Sequence, residues 1–159
     1  MKSIPWFMIV CLLSLSACAA PIPSSTPTPG STPLIPTSKN VPKSTLTGKI
    51  VYDSEGDIFV MDLANSRVTR LTTDPEWDFD AAWSPDGTQI VFRSHRDGNE
   101  EIYVMDADGS NQRNLSRNAG GDWSPVWSPD GTRIAFFSER DGKSGIWVMD
   151  TNGDHVIPV

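Results

Sequence analysis

Beyond residue 18 this 159-residue chain has no cysteine; its two are Cys11 and Cys18. That absence excludes disulfides, thiolate catalysis and Cys-ligated zinc from everything downstream. Histidine is as scarce, with His95 and His155 alone. The first 52 residues carry no acid, because all 20 Asp and Glu lie at or after Asp53. From Lys43 onward those 20 face 11 Lys plus Arg, a net charge of −9. No basic cluster offsets it, so the surface repels a phosphate backbone and nucleic acid is not an expected partner. Long apolar runs are missing too. The longest, Ile4 to Leu15, has twelve residues, too short to cross the ~30 Å core of a bilayer as a helix.

That run follows Met1-Lys2 and reads as the apolar stretch of a secretory leader. Leu15-Ser16-Ala17-Cys18 closes it. These four residues resemble a bacterial lipobox, which implies a signal peptide over residues 1–17 and lipidation of Cys18. Ala17-Cys18-Ala19 also fits ordinary secretory cleavage, which would release a soluble protein. Both readings export the chain. The expected location is a membrane-anchored lipoprotein at the bacterial cell envelope, on its periplasmic or cell-surface face. Residues 18–44 then form the anchor and a tether. Seven prolines lie between Ala20 and Pro42 among Ser and Thr. Proline removes backbone donors and favours extended polyproline II geometry, so the segment reads as a semi-rigid spacer.

Residues 45–159 are organised by an internal repeat. Trp83-Ser-Pro-Asp-Gly87 recurs as Trp127-Ser-Pro-Asp-Gly131, an offset of 44 that also relates Asp97 to Asp141, Ile102 to Ile146 and Met105 to Met149. A partial third copy precedes them. Ile58, Met61, Asp62 and Leu71 stand 44 residues before Ile102, Met105, Asp106 and Leu115. Val51 stands only 40 before Val91, so that copy has one turn four residues shorter. A period near 44 suits a four-stranded propeller blade. Short runs such as Ile90-Val-Phe92 and Ile102-Tyr-Val-Met105 have high β propensity and are apolar on both parities. They read as strands covered on both faces. Gly, Pro and Asp interrupt them too often for helices. Pro fixes φ, Asp bonds its own backbone and Gly accepts positive φ, so each Ser-Pro-Asp-Gly is a tight turn. The expectation is an all-β chain of about three blades near residues 48–72, 79–116 and 123–159. In the second, strands fall near 80–84, 90–94, 101–106 and 112–116.

The pattern WSPDGT…IAF.S.RDG…I.VMD resembles the WD-repeat-like blades of TolB-type β-propellers, over about Gly48 to Val159. The same blade type occurs in propellers of prolyl-oligopeptidase-like and tricorn-type proteases. The family implies a six-bladed, soluble periplasmic propeller behind an α/β domain. Three blades are fewer than the 4–8 of a closed ring. Eleven strands in an open or incomplete arc leave unpaired edges. A truncated fragment, a homodimer closing a six-blade ring, and an open stack all fit.

A catalytic constellation is not legible. A triad needs serine, histidine and acid brought together, yet His95 sits in a turn that Glu139 occupies in the next copy, and His155 has no fixed counterpart. Asp106-Ala-Asp108-Gly109-Ser-Asn111 resembles part of a calcium loop. Aligned on its glycine, it puts apolar Val104 and Leu115 at the first and twelfth ligand positions, which excludes an EF-hand. Turn-forming Asx residues account for it, and no metal, cofactor or catalytic residue is assigned. Arg96 and Arg140, next to Asp97 and Asp141, recur once per blade as a ligand rim or as packing contacts. Trp77 and Trp123 lie in loops beside acids and are candidate partner anchors. The function expected is a non-enzymatic envelope binding or scaffold module, presenting a surface to a protein, peptide or glycan. The alternative is the propeller portion of a larger envelope hydrolase or lyase.

Overall fold

A computed structural model describes residues 47–159. The leader, Cys18 and the tether lie outside the described residues. Three antiparallel sheets follow one another along the chain. The first has β1 (Lys49–Ser54), β2 (Asp57–Asp62) and β3 (Arg67–Arg70). The second has β4 (Asp78–Trp83), β5 (Gln89–Ser94), β6 (Glu101–Asp106) and β7 (Arg113–Asn114). The third has β8 (Asp122–Trp127), β9 (Arg133–Ser138), β10 (Gly145–Asp150) and β11 (Ile157–Pro158). Each is a meander in chain order. No α-helix occurs among the described residues; a single 3-10 turn spans Arg140–Gly142.

The side-chain period of two explains the stacking. On β5, Ile90 and Phe92 face the first sheet, where they join Ile58, Val60, Leu71, Tyr103 and Met105 in one cluster. Val91 faces the third sheet and packs with Ile102, Val104, Leu115, Ile134, Phe136, Trp147 and Met149. The middle sheet is therefore covered twice, as its strands of unbroken apolar residues require. Fully burying one such side chain contributes ~1.5–3 kcal/mol.

Ser84-Pro-Asp-Gly87 and its copy turn as expected, with Gly87 and Gly131 both at φ 70°. The Asp86 carboxylate accepts from the Ser84 hydroxyl at 2.6 Å and from the Thr88 amide at 3.0 Å. Two features were not legible in the sequence. Both innermost strands carry a bulge, between Phe79 and Ala82 and between Trp123 and Val126. Each bulge holds one residue in the left-handed region, Asp80 at φ 57° and Ser124 at φ 52°. The fourth strand of the second sheet is two residues long, where 112–116 was expected. Asn111 (φ 54°) and Arg117 (φ 41°) leave extended geometry on either side.

Neighbouring sheets also interlock through backbone. A Cβ on Gly109 would stand 2.9 Å from the Leu71 carbonyl oxygen, and one on Gly153 would stand 2.6 Å from that of Leu115. Both glycines have positive φ. They are needed for the close approach as well as for the turn. Trp127 adds a polar link, donating its indole N–H to the Ala82 carbonyl at 3.2 Å.

Candidate functional site

The β5–β6 hairpin lifts Arg96 back over its own sheet. Its guanidinium bonds both Asp78 carboxylate oxygens at 2.9 Å, Ser94 Oγ at 2.7 Å and Gln112 Oε1 at 2.7 Å. It lies 4.6 Å from the Tyr103 ring centroid and 5.5 Å from that of Phe92. Arg140 repeats the arrangement on Asp122 (3.1 Å) and Ser138 (2.9 Å), over Phe136 and Trp147. Of the two readings that the sequence left for Arg96 and Arg140, this geometry fits packing and not a ligand rim. Each is largely buried against a fully buried carboxylate. The acid that meets each arginine is also not its neighbour in sequence. Asp97 instead accepts from the Tyr103 hydroxyl and from Asn114 at 2.8 Å. Those bonds hold its carboxyl below the usual range, while burial and then the Asp97 contact push the Tyr103 phenol up. Asp78 and Asp122 were read only as acids beside Trp77 and Trp123, although their spacing of 44, shared with Arg96 and Arg140, was a usable signal for the pairing.

Trp77 stands in the loop before β4 with 66% of its surface exposed. It packs edge-on against Phe79 at 5.8 Å, and its Cδ1 would stand 3.0 Å from a Cβ on Gly56. Arg93 lies 5.1 Å from the Phe79 centroid and reaches Asp80 at 3.3 Å and Glu100 at 3.6 Å. His95 Nδ1 is 3.7 Å from Glu100. Trp123, expected in a loop, lies instead on β8, where it takes the place of Phe79 and not of Trp77; it packs on Phe137, at 5.9 Å, which takes the place of Arg93. The cross-strand neighbour is thus cationic in the second sheet and apolar in the third. An exposed Trp77 packed on Phe79, which Arg93 covers with Asp80 and Glu100 beside it, is suited to a protein contact.

Elsewhere the polar groups close on themselves. His155 Nδ1 contacts Asp150 at 2.7 Å, and Asn111 donates to Asp106 at 2.6 Å. Among the described residues no group of three or more His, Cys, Asp or Glu stands ready for a metal ion.

Comparison with known proteins agrees with the three stacked meanders. Residues 42–110 and 94–159 match the TolB beta propeller domain. The chain belongs to that family. It is similar to a solved putative TolB from Agrobacterium tumefaciens, with 29% identity and a TM-score of 0.63 over 69% of this chain and 44% of that one. TolB from Acinetobacter baumannii gives 26% identity and a TM-score of 0.59, over 69% and 28%. The tricorn protease, at 18% identity and TM-score 0.51 over 60% and 12%, shares the fold alone. The chain thus spans less than half the length of the two TolB structures.

In this TolB-type arc, the outer face of the third sheet stands out. Ile58 and Ile102 are fully buried, but Ile146, at the same register, is 50% exposed. Val126, Ile157 and Val159 are exposed with it. At the other end of the arc, Ile50 and Val68 are nearly half exposed. The sequence placed these residues in strands without distinguishing an inner from an outer sheet.

Proposed function

We propose that this chain is a non-enzymatic binding module of the bacterial cell envelope, held by a lipid on Cys18, that docks a protein partner on the outer face of its third sheet. The observation that supports docking is the exposure of Ile146 at a position buried in both preceding sheets. A contiguous apolar patch of this kind marks an interaction surface. Trp77, set in the loop before β4, and Trp123, on β8, are secondary anchors. The leader residues around Cys18 support the anchor, and the proline-rich segment supports a spacer that presents the domain. The alternative, a propeller portion of a larger hydrolase or lyase, has no specific observation in its favour, since the likeness to a protease is one of fold.

A photo-crosslinking residue at position 146 is expected to form one adduct of defined mass with an envelope protein in cells. Val126→Lys should remove it, and the same probe at position 108 should form none. An adduct pattern common to both positions, or none at 146, contradicts the docking face. Cys18→Ser should move the chain from the membrane to the soluble fraction; unchanged partitioning removes the anchor. Turnover of a peptide or glycan by the purified protein overturns the non-enzymatic reading.

A further inference from the structure

The two interfaces between neighbouring sheets use one backbone turn and meet it with different side chains. Between the second and third sheets, Arg113 reaches across to the turn after β10. Its guanidinium donates to the Thr151 carbonyl at 3.1 Å and to that of Asn152 at 3.4 Å. Between the first and second sheets the same turn recurs after β6. There the Gly109 amide donates to Asp106 and the Asp106 amide to Ser110, as Gly153 does to Asp150 and Asp150 to Asp154, all at 2.9 Å. Gly109 and Gly153 have φ 89° and 92° and back onto the carbonyls of Leu71 and Leu115. The Ala107 and Asp108 carbonyls therefore stand where those of Thr151 and Asn152 do. The side chain opposite them differs. Thr69 faces Val60 across the strands as Arg113 faces Val104, and threonine is too short to reach the turn. Gln112 donates to the next carbonyl, Gly109, at 3.0 Å, but no donor among the described residues bonds those of Ala107 and Asp108. An open cleft of about 330 Å³ lies between Thr69 and this turn, lined below by the buried Val60 and Leu71.

We infer that this cleft binds a free amino acid with a guanidinium head, of which arginine is the type. A guanidinium is planar and has five donors and no acceptor. Arg113 shows such a group satisfying this carbonyl pair within the same molecule. The Asp108 side chain lines the cleft beside the two carbonyls and adds the opposite charge. The Ser110 hydroxyl and then its amide hold that carboxyl below its usual range, so it is ionised at neutral pH. Val60 and Leu71 give the methylene stem an apolar surface to lie on. At the other end, Lys49, Asp62 and Arg67 form a cross-strand row that alternates in charge. The two cations suit an α-carboxylate and the acid between them an α-ammonium. The corresponding row of the second sheet is Gln89, Asp106 and Asn111, with no cation, and Asn111 donates to Asp106 at 2.6 Å. Cations thus stand at the interface that has threonine, and neutral amides at the interface that carries its own arginine. Small-molecule sites run from ~300 to 1,000 Å³, and a cleft at the low end suits one amino acid.

The inference is independent of any partner on the third sheet. Amide spectra of the 15N-labelled full chain in detergent, titrated with L-arginine, test it. Saturable shifts are expected at Thr69, Ala107, Asp108 and Gly109, with Thr151, Asn152 and Gly153 unmoved because Arg113 already holds that turn. Citrulline has the same shape with a neutral ureido head and should bind about tenfold more weakly or worse, because its bonds lack the charge. Arginine amide lacks the carboxylate and should bind more weakly too. Thr69→Arg should abolish the shifts, since a tethered guanidinium then meets the same carbonyls, while the Ile102 amide keeps its position. Thr69→Ser should retain them. Citrulline or arginine amide binding as tightly as arginine overturns the inference. So do shifts shared equally with Thr151 and Asn152, shifts that survive Thr69→Arg, and a spectrum that arginine leaves unmoved. Tighter binding of the peptide Gly-Gly-Arg, whose arginine has no free ammonium, would give the cleft to a peptide end and overturn it as well.

Discussion

Ile102 and Ile146 are the same residue at the same register of the same strand, one sheet apart, yet one is sealed and the other half in water. The middle sheet is packed on both faces and the third on one. A repeat unit in this architecture has little stability of its own and draws much of it from its neighbours. The hairpin arginines sharpen the contrast. Arg96 has bidentate contact with Asp78 and a third partner in Gln112, whereas Arg140 makes one bond to Asp122.

The largest effect should come from breaking that ion pair. Arg96→Met leaves the Asp78 carboxylate buried without its charge partner, and loss of ~3–5 kcal/mol is expected, read by chemical denaturation. Arg140→Met should cost less, and an equal or larger cost would contradict the asymmetry. Next is core truncation. Ile102→Ala should destabilise by ~2–5 kcal/mol, while Ile146→Ala stays within ~0.5 kcal/mol, as for a surface site. Comparable losses in a monomer would mean that the third sheet's outer face is covered.

A smaller contrast lies in the glycines. Gly98 and Gly109 have φ 94° and 89°, but a Cβ meets open space at the first and the Leu71 carbonyl at the second. Gly98→Ala should cost about 1 kcal/mol, from backbone strain alone. Gly109→Ala should cost more, because the first two sheets must separate. Equal melting shifts would sink that distinction. The smallest effect concerns the turns. The Ser128 hydroxyl, then the Thr132 amide and hydroxyl, lower the Asp130 carboxyl to about 2. Its contribution is therefore present above the unfolded value near 3.9 and is lost as pH falls through about 2. Titration by carbon NMR should show Asp130 moving up in Ser128→Ala, with Asp108 unmoved.

Strand identity, the three repeats and the Ser-Pro-Asp-Gly turns were legible because each rests on neighbours in sequence: an apolar run, a fixed φ at proline, a glycine after aspartate. The site was less so. Trp77 was visible as a loop aromatic, but its Phe79, Arg93, His95 and Glu100 surroundings come from three chain segments. Arg96 was visible as a recurring residue, but its role depends on Asp78, 18 positions upstream.

The sequence by itself determined the period of 44, the all-β class and the places where the chain turns, since these follow from local dihedral preference and side-chain alternation. Only the tertiary structure decided which of three like strands is buried and which arginine is tied to which acid. Those outcomes depend on what lies across a sheet interface, and a periodic sequence writes the same residue at every interface, filled or empty.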